Sequence, residues 1–80
     1  MRVRVLGSGC KKCNELYDNA RQAVGGLEGG PYSVEKVADV DTFLSLGVMV
    51  TPALVLDDEV VSSGRVLPAE EIARLIQERE

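Results

Sequence analysis

Two cysteines three residues apart, Cys10 and Cys13, stand where a strand-like run meets a helix-like one, and this junction limits what the chain can become. Arg2-Val3-Arg4-Val5-Leu6 alternates at first, then ends apolar, with β-branched residues and a following glycine. That pattern predicts a strand, and a central one. From Cys13 to Val24, the residues Leu16, Tyr17, Ala20, Ala23 and Val24 recur at helical spacing, and Gly25-Gly26 ends the run. Between the two lies Gly7-Ser8-Gly9-Cys10-Lys11-Lys12-Cys13.

The remainder continues the alternation. Gly29-Gly30-Pro31 punctuates a connection to a second strand over Tyr32 to Val37. Asp39 or Asp41 caps a short helix through Phe43, Leu44 and Leu46, with Gly47 as its stop. Val48-Met49-Val50 then leads to Thr51-Pro52. These three apolar residues are read as core, with an exposed docking patch as the alternative. Ala53-Leu54-Val55-Leu56 is fully apolar, as in strands buried on both faces. Asp57, Asp58 and Glu59 make a turn, and Val60-Val61-Ser62 returns as its hairpin partner. Pro68 opens the last helix at its first position, Glu70 and Glu71 sit in the dipole-favoured first turn, and Ile72, Leu75 and Ile76 form a buried stripe. The order is βαβαββα. The first two strands need a crossover and so run parallel, while the hairpin adds antiparallel strands.

Eighty residues support one domain, residues 1–80, near the lower end of what folds unaided. A disulfide between Cys10 and Cys13 would do little for such a chain. Closing a loop of about four residues removes only roughly 2 kcal/mol of unfolded-state entropy. Histidine is absent, which excludes histidine-based triads, histidine metal ligands and an imidazole switch. The net charge of −4 argues against a nucleic-acid surface. No secretory apolar segment or membrane-length run appears, so no membrane role is expected. Paired thiols without a signal peptide fit a reducing cytoplasm, where they serve catalysis, redox sensing or metal binding. A monomer is expected.

Residues three apart in a helical first turn have Cα atoms roughly 5 Å from each other, within reach of a disulfide. Cys10 comes first, at a helix N-terminus whose free N–H groups and positive dipole end favour a thiolate. Thiolates are the nucleophiles. Cys10 is therefore the expected attacking sulfur and Cys13, one turn in and more buried, the resolving one. Lys11 and Lys12 oppose the helix dipole but would stabilise a neighbouring thiolate, so they are candidate tuners of its pKa. The alternative is two solvated lysines, with Lys11 near Glu15. For the cysteines, structural thiols and a soft-metal pair suited to copper(I) stay open. A phosphate loop does not, because Lys12 stands at the third glycine position.

The two motifs taken together, Gly7-Ser8-Gly9-Cys10-Lys11-Lys12-Cys13 and Val48-Met49-Val50-Thr51-Pro52-Ala53-Leu54-Val55, resemble the family of small thioredoxin-like, redox-active disulfide proteins. The likeness runs from about Val3 to Ile76. It implies an α/β, minimal glutaredoxin-type fold with a four-stranded mixed sheet flanked by three helices. It also implies that Cys10 and Cys13 are the redox pair, that Pro52 is a cis-proline, and that the backbone of Thr51 pairs with an extended substrate. The implied activity is thiol–disulfide oxidoreduction of protein disulfides, with no bound cofactor and a thioredoxin-reductase-like or thiol-based reductant. The chain departs from ordinary thioredoxin in having no tryptophan and no Gly-Pro between its cysteines. Asp18 lies on a polar helix face rather than at a buried aspartate's place. Ser62-Ser63-Gly64-Arg65 stands where many glutaredoxins carry a glutathione-binding Gly-Gly-x-Asp. Two rival readings are a copper-handling module, tested by metal titration against a chelator, and a non-catalytic interaction module on the same fold.

Overall fold

The computed structural model describes residues 1–27 and 32–79. In chain order the elements are β1 (Arg2–Leu6), α1 (Lys11–Gly25), β2 (Ser33–Val37), α2 (Val40–Ser45), β3 (Ala53–Leu56), β4 (Glu59–Ser63) and α3 (Ala69–Glu78). The sheet order is β2-β1-β3-β4, so β1 is central. It pairs in parallel with β2, Leu6 opposite Val37, and antiparallel with β3, Leu6 opposite Ala53. β4 returns antiparallel on β3, with an irregularity between Leu54 and Val55. The arrangement is an α/β, thioredoxin-like fold. The Gly29-Gly30-Pro31 punctuation lies outside the described residues.

Side-chain alternation divides the core between the two faces of the sheet. Val3, Val5, Leu54 and Leu56 point to one face, where Leu16, Ala20 and Ala23 of α1 and Ile72 and Ile76 of α3 close over them. Leu6, Ala53 and Val55 point to the other and meet Phe43 of α2 and Val48. Covered on both sides, β1 and β3 are buried along almost their whole length, and every buried residue of the two but Arg4 is apolar. Leu75 is only half-buried, so the stripe of α3 is carried by Ile72 and Ile76.

Arg4 is the exception on β1, a charged residue only 8% exposed. Its Nη2 donates to the Asp57 carbonyl at 2.8 Å and to Asp58 Oδ1 at 3.1 Å, which ties the central strand to the β3–β4 turn. The turn is fixed from Arg2 as well. The Asp57 N–H donates to Arg2 O at 2.8 Å, and the Arg2 N–H to Asp57 Oδ1 at 3.0 Å.

α1 begins at Lys11 with Cys10 as its N-cap, which puts Cys10 at the helix N-terminus as expected. Two expectations are corrected by small amounts of geometry. Pro68 is the N-cap of α3 rather than its first residue. Its backbone is extended, and its carbonyl accepts from Glu71 and Ile72, both at 3.1 Å. Within Val48-Met49-Val50 only Val48 joins the core, while Met49 is 86% and Val50 56% exposed. The Val48 N–H is held by the Phe43 carbonyl at 2.8 Å, which closes α2 and leaves the next two residues in a loop over solvent.

This division of burial predicts contrasting stabilities. Truncating fully buried Ile72 to alanine should cost about 3 kcal/mol, the middle of the range for large-to-small core changes. Exposed Leu44→Ala should stay within about 0.5 kcal/mol of wild type. Urea denaturation of both variants checks the pair.

Candidate functional site

The site forms where β1 ends. Past Leu6 the parallel ladder continues by one bond, from the Gly7 N–H to Val37 O at 2.9 Å. The backbone then passes directly under Cys13. A Cβ at position 7 would lie 2.3 Å from Cys13 Sγ and 2.9 Å from Cys13 Cβ, so only glycine leaves room for the thiol. Gly9 follows with φ +88°, a left-handed turn into the helix.

Cys10 has an extended backbone and closes the helix start with its own sulfur. The Cys13 N–H donates to Cys10 Sγ at 3.3 Å, the contact that a serine or aspartate oxygen makes at most helix N-termini. The two sulfurs lie 2.6 Å apart, both as free thiols, with Cys10 exposed and Cys13 only 3% exposed. These surroundings separate their acidities. The Cys10 thiol is pulled below its usual pKa, first by the hydrogen bond from the Cys13 thiol and then by the Cys13 backbone N–H. Burial pushes the Cys13 thiol up, and hydrogen bonding to Cys10 adds to the rise.

Lys11 and Lys12 occupy the first two helical positions and are exposed. Lys12 also acts on Cys10 through its backbone N–H, which favours the thiolate. Among the described residues neither lysine forms an ion pair, with Glu15 or with any other carboxylate.

The register of β1 against β3 brings Thr51 and Pro52 to this same end of the sheet. Leu6 faces Ala53, so the residue after one meets the residue before the other: Gly7 beside Pro52. The Thr51–Pro52 bond is cis, Pro52 is buried and Thr51 is half-buried. Gly64, at φ +76°, donates its N–H to Pro52 O at 2.8 Å, and a Cβ there would meet Val50 Cγ1 at 3.0 Å. Gly7 and Gly64 are site residues that the sequence pattern does not single out. Each owes its role to a neighbour on another segment, Gly7 to Cys13 of α1 and Gly64 to Val50 and Pro52. Asp18 is exposed, as its helix position implied. Among the described residues no group of three or more cysteine or acidic side chains is placed to hold a metal ion. Nor is any helix among them long and apolar enough to cross a membrane.

A sheet with an exposed and a buried thiol in contact at a helix N-terminus, beside a cis-proline, defines a thioredoxin-type dithiol protein. Comparison with known proteins agrees. The family model described as "Thioredoxin domain" matches residues 1–77. A protein named thioredoxin from Methanothermobacter thermautotrophicus is 37% identical over 76 residues, 95% of this chain and 97% of that one. A thioredoxin from Methanocaldococcus jannaschii is 40% identical over 70 residues, 88% of this chain and 79% of its own length. The chain belongs to the thioredoxin family and is a thiol–disulfide oxidoreductase, acting on protein disulfides with the help of a reductant.

Two outcomes follow from this geometry. In the reduced protein, iodoacetamide should modify Cys10 first, with a rate midpoint below the roughly 8.5 of a free thiol. Cys13 should react slowly, with its midpoint above that value, as peptide mass mapping across pH would read. Gly7→Ala should cost about 1–3 kcal/mol, as expected for an overpacked core, and should displace Cys13. Denaturation and the alkylation rate of Cys13 measure the two effects.

Proposed function

We propose that Cys10 is the attacking nucleophile and Cys13 the resolving thiol. The Cys10 thiolate attacks one sulfur of a substrate disulfide, forming a Cys10–substrate disulfide and expelling the other substrate sulfur as a thiolate. Cys13 gives up its proton to solvent and attacks Cys10 Sγ. The mixed bond breaks, a second substrate thiolate leaves, and the Cys10–Cys13 disulfide remains. Two electrons have passed to the substrate. Pro52 and Thr51 border the dithiol on the β3 side, and the backbone of Thr51 pairs with the extended substrate segment. Lys11 and Lys12 favour the charged state of Cys10, modestly because exposed charges are screened.

The observation that carries this reading is the contact itself: an exposed sulfur 2.6 Å from a buried one, the exposed one the more acidic. The cycle needs no bound cofactor. A thioredoxin-reductase-like enzyme or a thiol pool returns the dithiol, and the protein acts as a monomer in the cytoplasm, where unpaired thiols persist.

Equilibration in glutathione buffers of known potential, read by alkylation and mass, should give a single two-electron transition between about −270 and −120 mV. Cys13→Ser should accumulate a mixed disulfide with a peptide substrate, and Cys10→Ser should form none. Thiols that stay reduced at every potential, or a Cys10→Ser variant that keeps the wild-type rate, would sink the assignment.

A further inference from the structure

The nine cations of the chain are matched unevenly. Arg2, Arg4, Arg74 and Arg79 pair with carboxylates, on α3 or toward the end of the sheet away from the dithiol. Arg21 and Lys36 rest on the Tyr17 ring, 5.9 and 4.6 Å from its centroid. Among the described residues the side chains of Lys11, Lys12 and Arg65 have no carboxylate and no ring beside them. These three are the cations that border the dithiol.

Their placement follows from the contacts between segments. Lys11 and Lys12 come directly after Cys10 at the start of α1. Lys12 and Asn19 are seven residues apart, about two turns, and so share one face of the helix. Asn19 Nδ2 donates to Leu67 O at 3.0 Å, so the segment after β4 runs along that face. The segment sets out from Gly64, whose N–H donates to Pro52 O at 2.8 Å and whose lack of a Cβ leaves room for Val50. Arg65 is the next residue and is exposed, on the path from the cis-proline to α1.

A bare surface cation is ordinary; a site without anions is less so in this chain. The segments that build the site, 7–13, 48–53 and 62–68, contain no aspartate or glutamate, although the chain carries 13 of them and a net charge of −4. The first carboxylate on α1, Glu15, lies one turn further in and joins neither lysine. Asp39 and Asp41 belong to α2 on the opposite face of the sheet, where the Asp39 carboxylate accepts from the Asp41 N–H and the Thr42 hydroxyl, both at 3.1 Å. The remaining exposed neighbours of the site, Met49 and Val50, are uncharged.

We propose that Lys11, Lys12 and Arg65 select protein substrates by charge, receiving acidic residues that flank the substrate's disulfide cysteine. The inference rests on the oxidoreductase cycle above and leaves its chemistry unchanged. Exposed ion pairs are individually weak, so the effect is one of discrimination: three cations attract an acidic flank and repel a basic one.

The test uses two single-cysteine peptides, oxidised as symmetric disulfides, that differ only in carrying glutamate or lysine on both sides of the cysteine. Each rate of reduction by the protein is divided by the rate with dithiothreitol, which removes the effect of the flanks on attack by any thiolate. The ratio of the two normalised rates is the readout. A change in the acidity of Cys10 moves both peptides together and leaves that ratio alone. In wild type the acidic peptide should be favoured about tenfold at about 20 mM salt and less than about threefold at about 0.5 M. Arg65→Gln should lower the low-salt preference about threefold, Arg65→Glu should bring it close to parity, and Arg65→Lys should keep it. Lys12→Gln should lower it about twofold. A wild-type preference below about twofold at low salt, or one that Arg65→Glu leaves in place, overturns the inference. Equal reduction of both peptides strikes only the charge selection, whereas a wild type that reduces neither brings down the oxidoreductase cycle with it.

Discussion

The side chain of Cys13 occupies the space that a side chain at position 7 would need, and the site depends on that close approach. β1 is held from both sides, by β2 in parallel and by β3 antiparallel, so its end cannot shift. Letting α1 rest on that end with only a glycine between them brings the thiol against the strand backbone. Cys13 is thereby removed from water, and Cys10, one helical turn earlier, is left outside. The central strand thus bears the core on two faces and presents the redox pair at its tip.

Much of this was legible because it is local. A strand-to-helix junction is written in periodicity, and two cysteines three apart at a helix start meet whatever the rest of the fold does. Thr51-Pro52 before a four-residue apolar strand is equally local. The misreadings share a different cause. Val48, Met49 and Val50 form an apolar run, yet the hydrogen bond from Val48 to the Phe43 carbonyl ends the core there and turns Met49 and Val50 outward. Pro68 reads as the first helical residue because proline is common there, yet its extended backbone makes it the cap of α3.

Long-range partnerships were out of reach of any pattern. Arg4 looks like the solvent-facing half of an alternating strand. It is buried because a carbonyl and a carboxylate across the β3–β4 turn receive its guanidinium. Gly7 reads as a loop glycine until α1 is folded over it. Gly64 reads as the end of a hairpin until Val50 and the Pro52 carbonyl are set beside it. Each of these residues closes a contact between separate segments of the fold, and such contacts leave no periodic trace.

The two thiols also show how one fold makes unlike groups from like residues. By composition Cys10 and Cys13 are the same. At the N-cap, Cys10 is exposed and accepts from the Cys13 thiol and then from a backbone N–H, so its charged form is favoured. Three residues on, Cys13 faces β1, and desolvation favours its neutral form. A more acidic thiol is a more populated thiolate. That suits Cys10 as the attacker in the proposed cycle, while in the second step Cys10 Sγ is the sulfur attacked and the sulfur that leaves is the substrate's. Had the helix begun one residue later, neither sulfur would hold its present place relative to Gly7 and the open N–H groups. The asymmetry, and with it the proposed order of attack, follows from helical phase against the end of one strand.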